Sequence, residues 1–167
     1  MAFSLVALYG CTNLEIEEVD SVVIETEGGP AAGDPAQLIE AAYNDISTFA
    51  NQTSTYSLYQ HTSDEMIPPT RGVDWGDNGV WRTLHAHSWD PTHAEVLNAW
   101  NDLNQRIFKT AEILAANPNA EQSAQAKFLQ GFYLWHVADL FGQVPFREFG
   151  QGVDELPRVL ARSEAIS

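Results

Sequence analysis

Apolar residues recur along one face in three long stretches of this chain. In the first, Leu38, Ile39, Ala42, Tyr43, Ile46, Phe49 and Ala50 follow the helical period. Asp34 and Pro35 precede them: a carboxylate to accept a free amide N–H, then a ring whose missing N–H is not needed in the first turn. Asp90 and Pro91 repeat that start signal ahead of a second stripe, Val96, Leu97, Trp100, Leu103, Ile107, Ala111 and Leu114. The break Asn117-Pro118-Asn119 ends it, and Asn119 with Gln122 has the spacing of a capping box for a third helix. From Phe128 to Phe141 that helix is apolar at ten of fourteen positions, and Gln130, Gly131, His136 and Asp139 do not share a face. A helix apolar all round is expected to be buried on all sides. Gly142 supplies its C-cap and Pro145 its stop.

A helix, a short turn and a second helix make an antiparallel hairpin, the unit of helical solenoids. No sequence repeat at the tetratricopeptide period accompanies it. The expected class is all-α. Two other long helices cannot surround Phe128 to Phe141, and Ser163 is placed to cap a helix beyond the last residue. The chain therefore reads as the N-terminal portion of a longer protein.

Between the first two helices lies a segment that is neither helix nor strand, Ser63 to Trp81. Pro68, Pro69, Gly72, Gly76 and Gly79 forbid a continuous helix across it. Such loops are uncommon in compact domains unless they have a function. Trp75, Trp81 and, just beyond, Trp89 are candidates for stacking on sugar faces, with Asp74, Asp77 and Asn78 as acceptors for sugar hydroxyls. The alternative, preferred here, is a folded cap with its tryptophans packed inward and Arg71 pinning it through its guanidinium fork. Trp100 and Trp135 fall on helix stripes and read as core.

Histidines raise a metal question. His85, His87, Asp90 and His93 lie close together, yet the acid and the third histidine of a His-x-His-x-Asp-His hydrolase pattern would belong at positions 89 and 90, occupied by Trp89 and Asp90. Asp90 is also wanted as an N-cap, and no cysteine or His-Glu-x-x-His helix is near. No metal or other cofactor is expected; a metal-dependent hydrolase using His85, His87 and His93 stands as a rival reading. His136 reads as a core histidine bonded to Asp139 one turn on.

Charge narrows the partners. The net charge is −15; residues 1–70 hold eleven acids and no Lys or Arg, and all eight basic residues lie from Arg71 onward. Phosphate backbones and anionic lipid surfaces would repel such a chain, so nucleic acid is excluded as a partner and a neutral glycan is favoured over an acidic one. The one cysteine, Cys11, ends an uncharged apolar run of signal-peptide length. Leu8-Tyr9-Gly10-Cys11 resembles a bacterial lipobox, in which the thiol is acylated and the chain cut before it. Residues 1–10 then read as a signal-peptide remnant, 11–33 as an acidic tether with a short strand at Val22 to Glu25, and 34–167 as the helical domain.

Two segments together resemble the RagB/SusD family of outer-membrane lipoproteins. Lys127 to Glu148, "KFLQGFYLWHVADLFGQVPFRE", is similar to that family's aromatic helix with its Leu-Phe-Gly-x-Val-Pro exit, and "TSDEMIPPTRGVDWGDNGVW" to its Ser-Asp-Glu and Thr-Arg-Gly-x-Asp-Trp region. Cys11 with acids close behind fits the same family. The resemblance implies tetratricopeptide-like hairpins in a surface-exposed lipoprotein held to the outer membrane by its lipid alone. It also implies a SusC-like TonB-dependent transporter as partner, capture of an oligosaccharide or peptide, and no catalysis. A generic helical-repeat scaffold for other proteins is the second rival.

Overall fold

Asp34 caps the first helix in the way its sequence predicts. In the computed structural model, which describes residues 25–26, 29–30, 33–67, 76–147 and 156–167, its carboxylate accepts the Ala36 N–H at 3.0 Å and α1 runs Pro35–Asn44. The chain then tightens into a 3₁₀ segment, Asp45–Ala50, where the Ser47 and Thr48 hydroxyls donate to carbonyls three residues back. Those side-chain bonds compete with the α-helical ladder. Of the predicted stripe, Ile39 and Ala42 are buried and Leu38, Ile46 and Phe49 pack beside them, while Tyr43 and Ala50 face solvent.

The next helix has no counterpart in the sequence reading. α2 (Thr55–His61) buries Thr55, Ser57, Leu58 and His61, a set too polar to register as an apolar stripe. Its N-terminus is completed from elsewhere: the Glu95 carboxylate accepts the Ser54 N–H and, at 3.3 Å, the Ser57 hydroxyl. Ser54 (φ 59°, ψ −129°) sits in a region disfavoured for residues with a Cβ, held there by Glu95 and by its own hydroxyl donating to Asp102 at 2.6 Å.

α3 (Val80–His85) follows a single 3₁₀ turn, Asp77–Gly79. α4 (Ala94–Ala115) starts later than Asp90 and Pro91 predict. Asp90 instead closes a local turn, accepting the Thr92 N–H and hydroxyl, and His93 is the N-cap, its Nδ1 accepting the Glu95 N–H at 3.3 Å. The buried face of α4 is also rotated from the predicted one. Glu95, Ala99, Leu103, Arg106, Thr110 and Ile113 are buried, Trp100, Ile107 and Leu114 flank them, and Leu97 is exposed. The polar groups on the inner face have partners: Ser54 and Ser57 for Glu95, Asp102 for Arg106 at 3.8 Å, and the Ile107 carbonyl for the Thr110 hydroxyl at 2.6 Å.

Asn117, in the left-handed region (φ 54°), turns the chain into α5 (Ala120–Phe141). The Asn119–Gln122 capping box forms with both bonds at 2.9 Å, and Gly142 ends the helix at φ 71°. α4 and α5 form the expected hairpin, with α1 packed on both. Tyr133, fully buried at their centre, donates its hydroxyl to the Ala42 carbonyl at 3.2 Å. Leu103, Ile113, Ala126, Leu129 and Val137 surround it.

One expectation is corrected here: Trp135, read as core, is 52% exposed. With Phe128 64% exposed, α5 has the open side expected of a helix that two others cannot surround. Among the described residues, α1 and α4 cover one side of α5 only.

Beyond Gly142 the helix has ended, as expected, and the chain continues as a strand through Pro145. β1 (Gln143–Phe146) pairs antiparallel with β2 (Arg158–Ala161), Pro145 opposite Val159. A two-stranded ladder has only edges, where a residue without an N–H is tolerated. The one-turn α6 (Arg162–Ala165) begins before Ser163, so Ser163 is not its cap; Glu164 accepts the Ala161 N–H instead. Arg162 reaches back to α5, Nε donating to the Ala138 carbonyl at 3.0 Å and Nη2 to that of Asp139 at 2.6 Å. Residues 1–31 form a separate unit, described only where Glu25–Thr26 pairs with Gly29–Pro30; most of the strand expected at Val22 to Glu25 lies outside the described residues. Among the described residues no helix is long and apolar enough to cross a membrane.

Candidate functional site

The candidate ligand surface lies where α2, α3 and the start of α4 meet. Cys11, Arg71, Asp74 and Trp75 lie outside the described residues. The remaining candidates separate into inner and outer groups.

Trp81 belongs to the inner group. It is 4% exposed and packs with Leu58, Leu84 and Ala99, its ring centroid 4.9 Å from that of His61. Its Nε1 donates to the Asp77 carboxylate at 2.5 Å. Ring and acid, proposed separately as sugar contacts, bind each other. The spacing explains it: Asp77 and Trp81 are four residues apart across a 3₁₀-to-α junction, which sets both side chains on one side. Asn78 (φ 53°) and Gly79 (φ 84°) make that junction in the left-handed region, where Asn and Gly are the least strained residues. Asn78 is exposed.

Trp89 belongs to the outer group. It is 40% exposed and meets His87 edge-on, with centroids 5.2 Å apart. His87, itself at φ 53°, donates Nε2–H to the Thr62 carbonyl at 2.7 Å and so ties the segment after α3 to the end of α2. Trp89 is thus an exposed ring on an anchored base.

The other histidines diverge. His93 turns both nitrogens inward, Nδ1 to the Glu95 N–H and Nε2 to the Val80 carbonyl at 3.2 Å, with the Thr83 hydroxyl 3.0 Å away. Asp90, whose pKa lies below the usual carboxylate value chiefly because Thr92 bonds to it, points into its own turn. Among the described residues no group of three or more His, Cys, Asp or Glu side chains could hold a metal ion.

Sequence reasoning missed a second polar cluster. His136 does not bond Asp139 directly; Tyr59 of α2 bridges them, its hydroxyl donating to Asp139 at 2.9 Å and lying 3.0 Å from His136 Nδ1. Burial, then the Asp139 carboxylate, raises the Tyr59 pKa, and burial lowers that of His136. Phe49, Phe132 and exposed Trp135 surround the imidazole. No signal short of locating α2 would have found this cluster, because Tyr59 is 77 residues from His136.

These polar groups cap helices, close turns and bridge elements, while Trp89 and Trp135 keep large aromatic surface in solvent. That combination defines a helical scaffold with exposed aromatic rings. The family described as starch-binding associating with outer membrane, SusD-like, matches residues 29–161, and the chain belongs to it. No curated protein and no solved structure matches the chain. The family description names binding and an association with the outer membrane.

Proposed function

We propose that the chain captures a neutral oligosaccharide, with a peptide as the other candidate, at the cell surface and delivers it to a SusC-like TonB-dependent transporter. It does so without catalysis, anchored to the outer membrane through a lipid on Cys11. The observation that carries this reading is the family match across residues 29–161, which takes in nearly all of the helical region. Trp89 supports it as an exposed indole on a fixed base. The net charge of −15 supports an uncharged ligand.

The test is calorimetric titration with a series of neutral gluco-oligosaccharides, run on the wild type and on Trp89→Ala. Binding that weakens about tenfold or more in the variant, with unchanged thermal stability, is the expected result; stacked rings contribute on this scale. Carbohydrate binding unaffected by Trp89→Ala would remove the ring from the site. A protein partner bound with no carbohydrate would favour the scaffold reading, and stoichiometric zinc in the purified protein the hydrolase reading. For the anchor, Cys11→Ala should abolish palmitate labelling and membrane retention; label that persists would mean another residue is modified.

A further inference from the structure

Four of the five histidines, His61, His85, His87 and His93, gather where α2, α3 and the N-terminus of α4 meet. No ligand role accounts for them. His61 is 1% exposed, and neither its Nδ1 nor the buried Nδ1 of His85 has a hydrogen-bond partner. A bare ring nitrogen is tolerated in such a place. A protonated one brings an unmatched donor and a charge.

His93 is fixed more tightly still. Its Nε2 faces the Val80 carbonyl, which can only accept, so Nε2 carries the hydrogen. Its Nδ1 accepts the Glu95 N–H, so Nδ1 must be bare.

Opposing charges are few among the described residues. His61 faces His85 from α3 and Glu95 from α4, while α5 brings only apolar Leu140 and Phe141 to this cluster. Glu95 favours a charged His61, but its oxygens already receive Ser54, Ser57 and Asn98. Burial outweighs it, and His61 is held below the ordinary imidazole value. Near His93 the charged neighbour is Asp90, whose oxygen is taken by Thr92.

We propose that the α2–α3–α4 junction is an acid-sensitive joint: protonation of His61, buried against Trp81 of α3 with its Nδ1 unpartnered, undocks α3 while the α4–α5 hairpin, whose buried centre holds no histidine, stays folded. The driving quantity is the difference in proton affinity between docked and free imidazole. One unit of difference at one histidine shifts the docking equilibrium about tenfold once the pH lies below both values.

Amide hydrogen exchange on the full chain tests it, at pH 7.5 and 5.5 with rates corrected for intrinsic chemistry. Ala86, His87 and Ser88, whose N–H groups bond to Arg82, Leu84 and Thr83, report on α3, and the amides of Ala126 to Leu129 in α5, about two turns from His136, are the reference. Protection at the three amides should fall about tenfold or more relative to α5 at the lower pH. His61→Phe keeps an aromatic ring against Trp81 without a titrating group and should blunt the response. Equal protection of α3 at both pH values would overturn the joint, and so would parallel loss in α3 and α5. Should His61→Phe not fold, imidazole nitrogen NMR of the wild type decides. A doubly protonated His61 with α3 still protected would overturn the proposal.

Discussion

Replacing Trp81 by alanine separates the two readings of the aromatic residues near the loop. The indole is buried in a cluster distinct from the one around Tyr133, with Leu58, Leu84 and Ala99 as walls and the His61 ring against it. Truncating such a ring costs about 3–5 kcal/mol, because transfer energy is lost and the cavity collapses only in part. Losing the bond from Nε1 to Asp77 adds little, since that carboxylate is exposed and water takes the donor's place. In a chain of this size each kcal/mol lowers Tm by roughly 2–4 °C, so Trp81→Ala should lower it by about 6–20 °C. Trp81→Phe keeps most of the apolar volume and forfeits the bond, for a loss of about 1–2 kcal/mol. Thermal and urea unfolding followed by circular dichroism measure both variants. A Trp81→Ala protein within about 1 kcal/mol of wild type, yet impaired in carbohydrate binding, would refute the inward assignment.

Glu95→Ala strips the buried Ser54 N–H of its acceptor, while the Ser57 hydroxyl keeps the Ser54 carbonyl at 2.7 Å, and should cost about 1–3 kcal/mol in urea unfolding, more than truncation of an exposed acid. Arg162→Ala should cost about 1–2 kcal/mol and speed amide exchange at the end of α5 alone, with Arg162→Lys restoring little because one ammonium cannot serve both carbonyls. His136 is held below its ordinary value by burial, against an opposing pull from Asp139. The unfolded chain therefore takes up that proton first. Stability should be complete above pH ~6.5 and fall below it by less than about 1.4 kcal/mol per pH unit from this group, a slope that His136→Gln would reduce.

Helix ends built from neighbouring residues were legible. Asp34 with Pro35, Asn119 with Gln122, and Gly142 each complete a terminus within a few positions, and the structure keeps all of them. Ends completed from a distance were not. α2 has no local cap and a polar buried face, so neither periodicity nor capping announced it. The start at Asp90 misled for a related reason: Thr92 competes for its carboxylate, and His93, an uncommon cap, takes over. The α4 stripe was displaced because Glu95, Arg106 and Thr110 lie on its buried face, Glu95 beside Ser54 and the other two partnered within α4 itself, which apolar spacing does not register. The all-α class and the α4–α5 hairpin were plain in the sequence. The division of Trp81 from Trp89 rested on α2 and α3, the two short helices that it concealed.

Glu95 at the head of α2 also orders events in time. Seven residues are too few to hold a helix in water by themselves. The bond that closes the N-terminus of α2 spans 41 residues, so α2 must wait until the first turn of α4 has been synthesised and has formed. A nascent chain ending short of Glu95 would thus expose an unstructured Thr55–His61 segment. Emergence of that one carboxylate, whose own helix opens on His93, would convert the segment to structure in a single step.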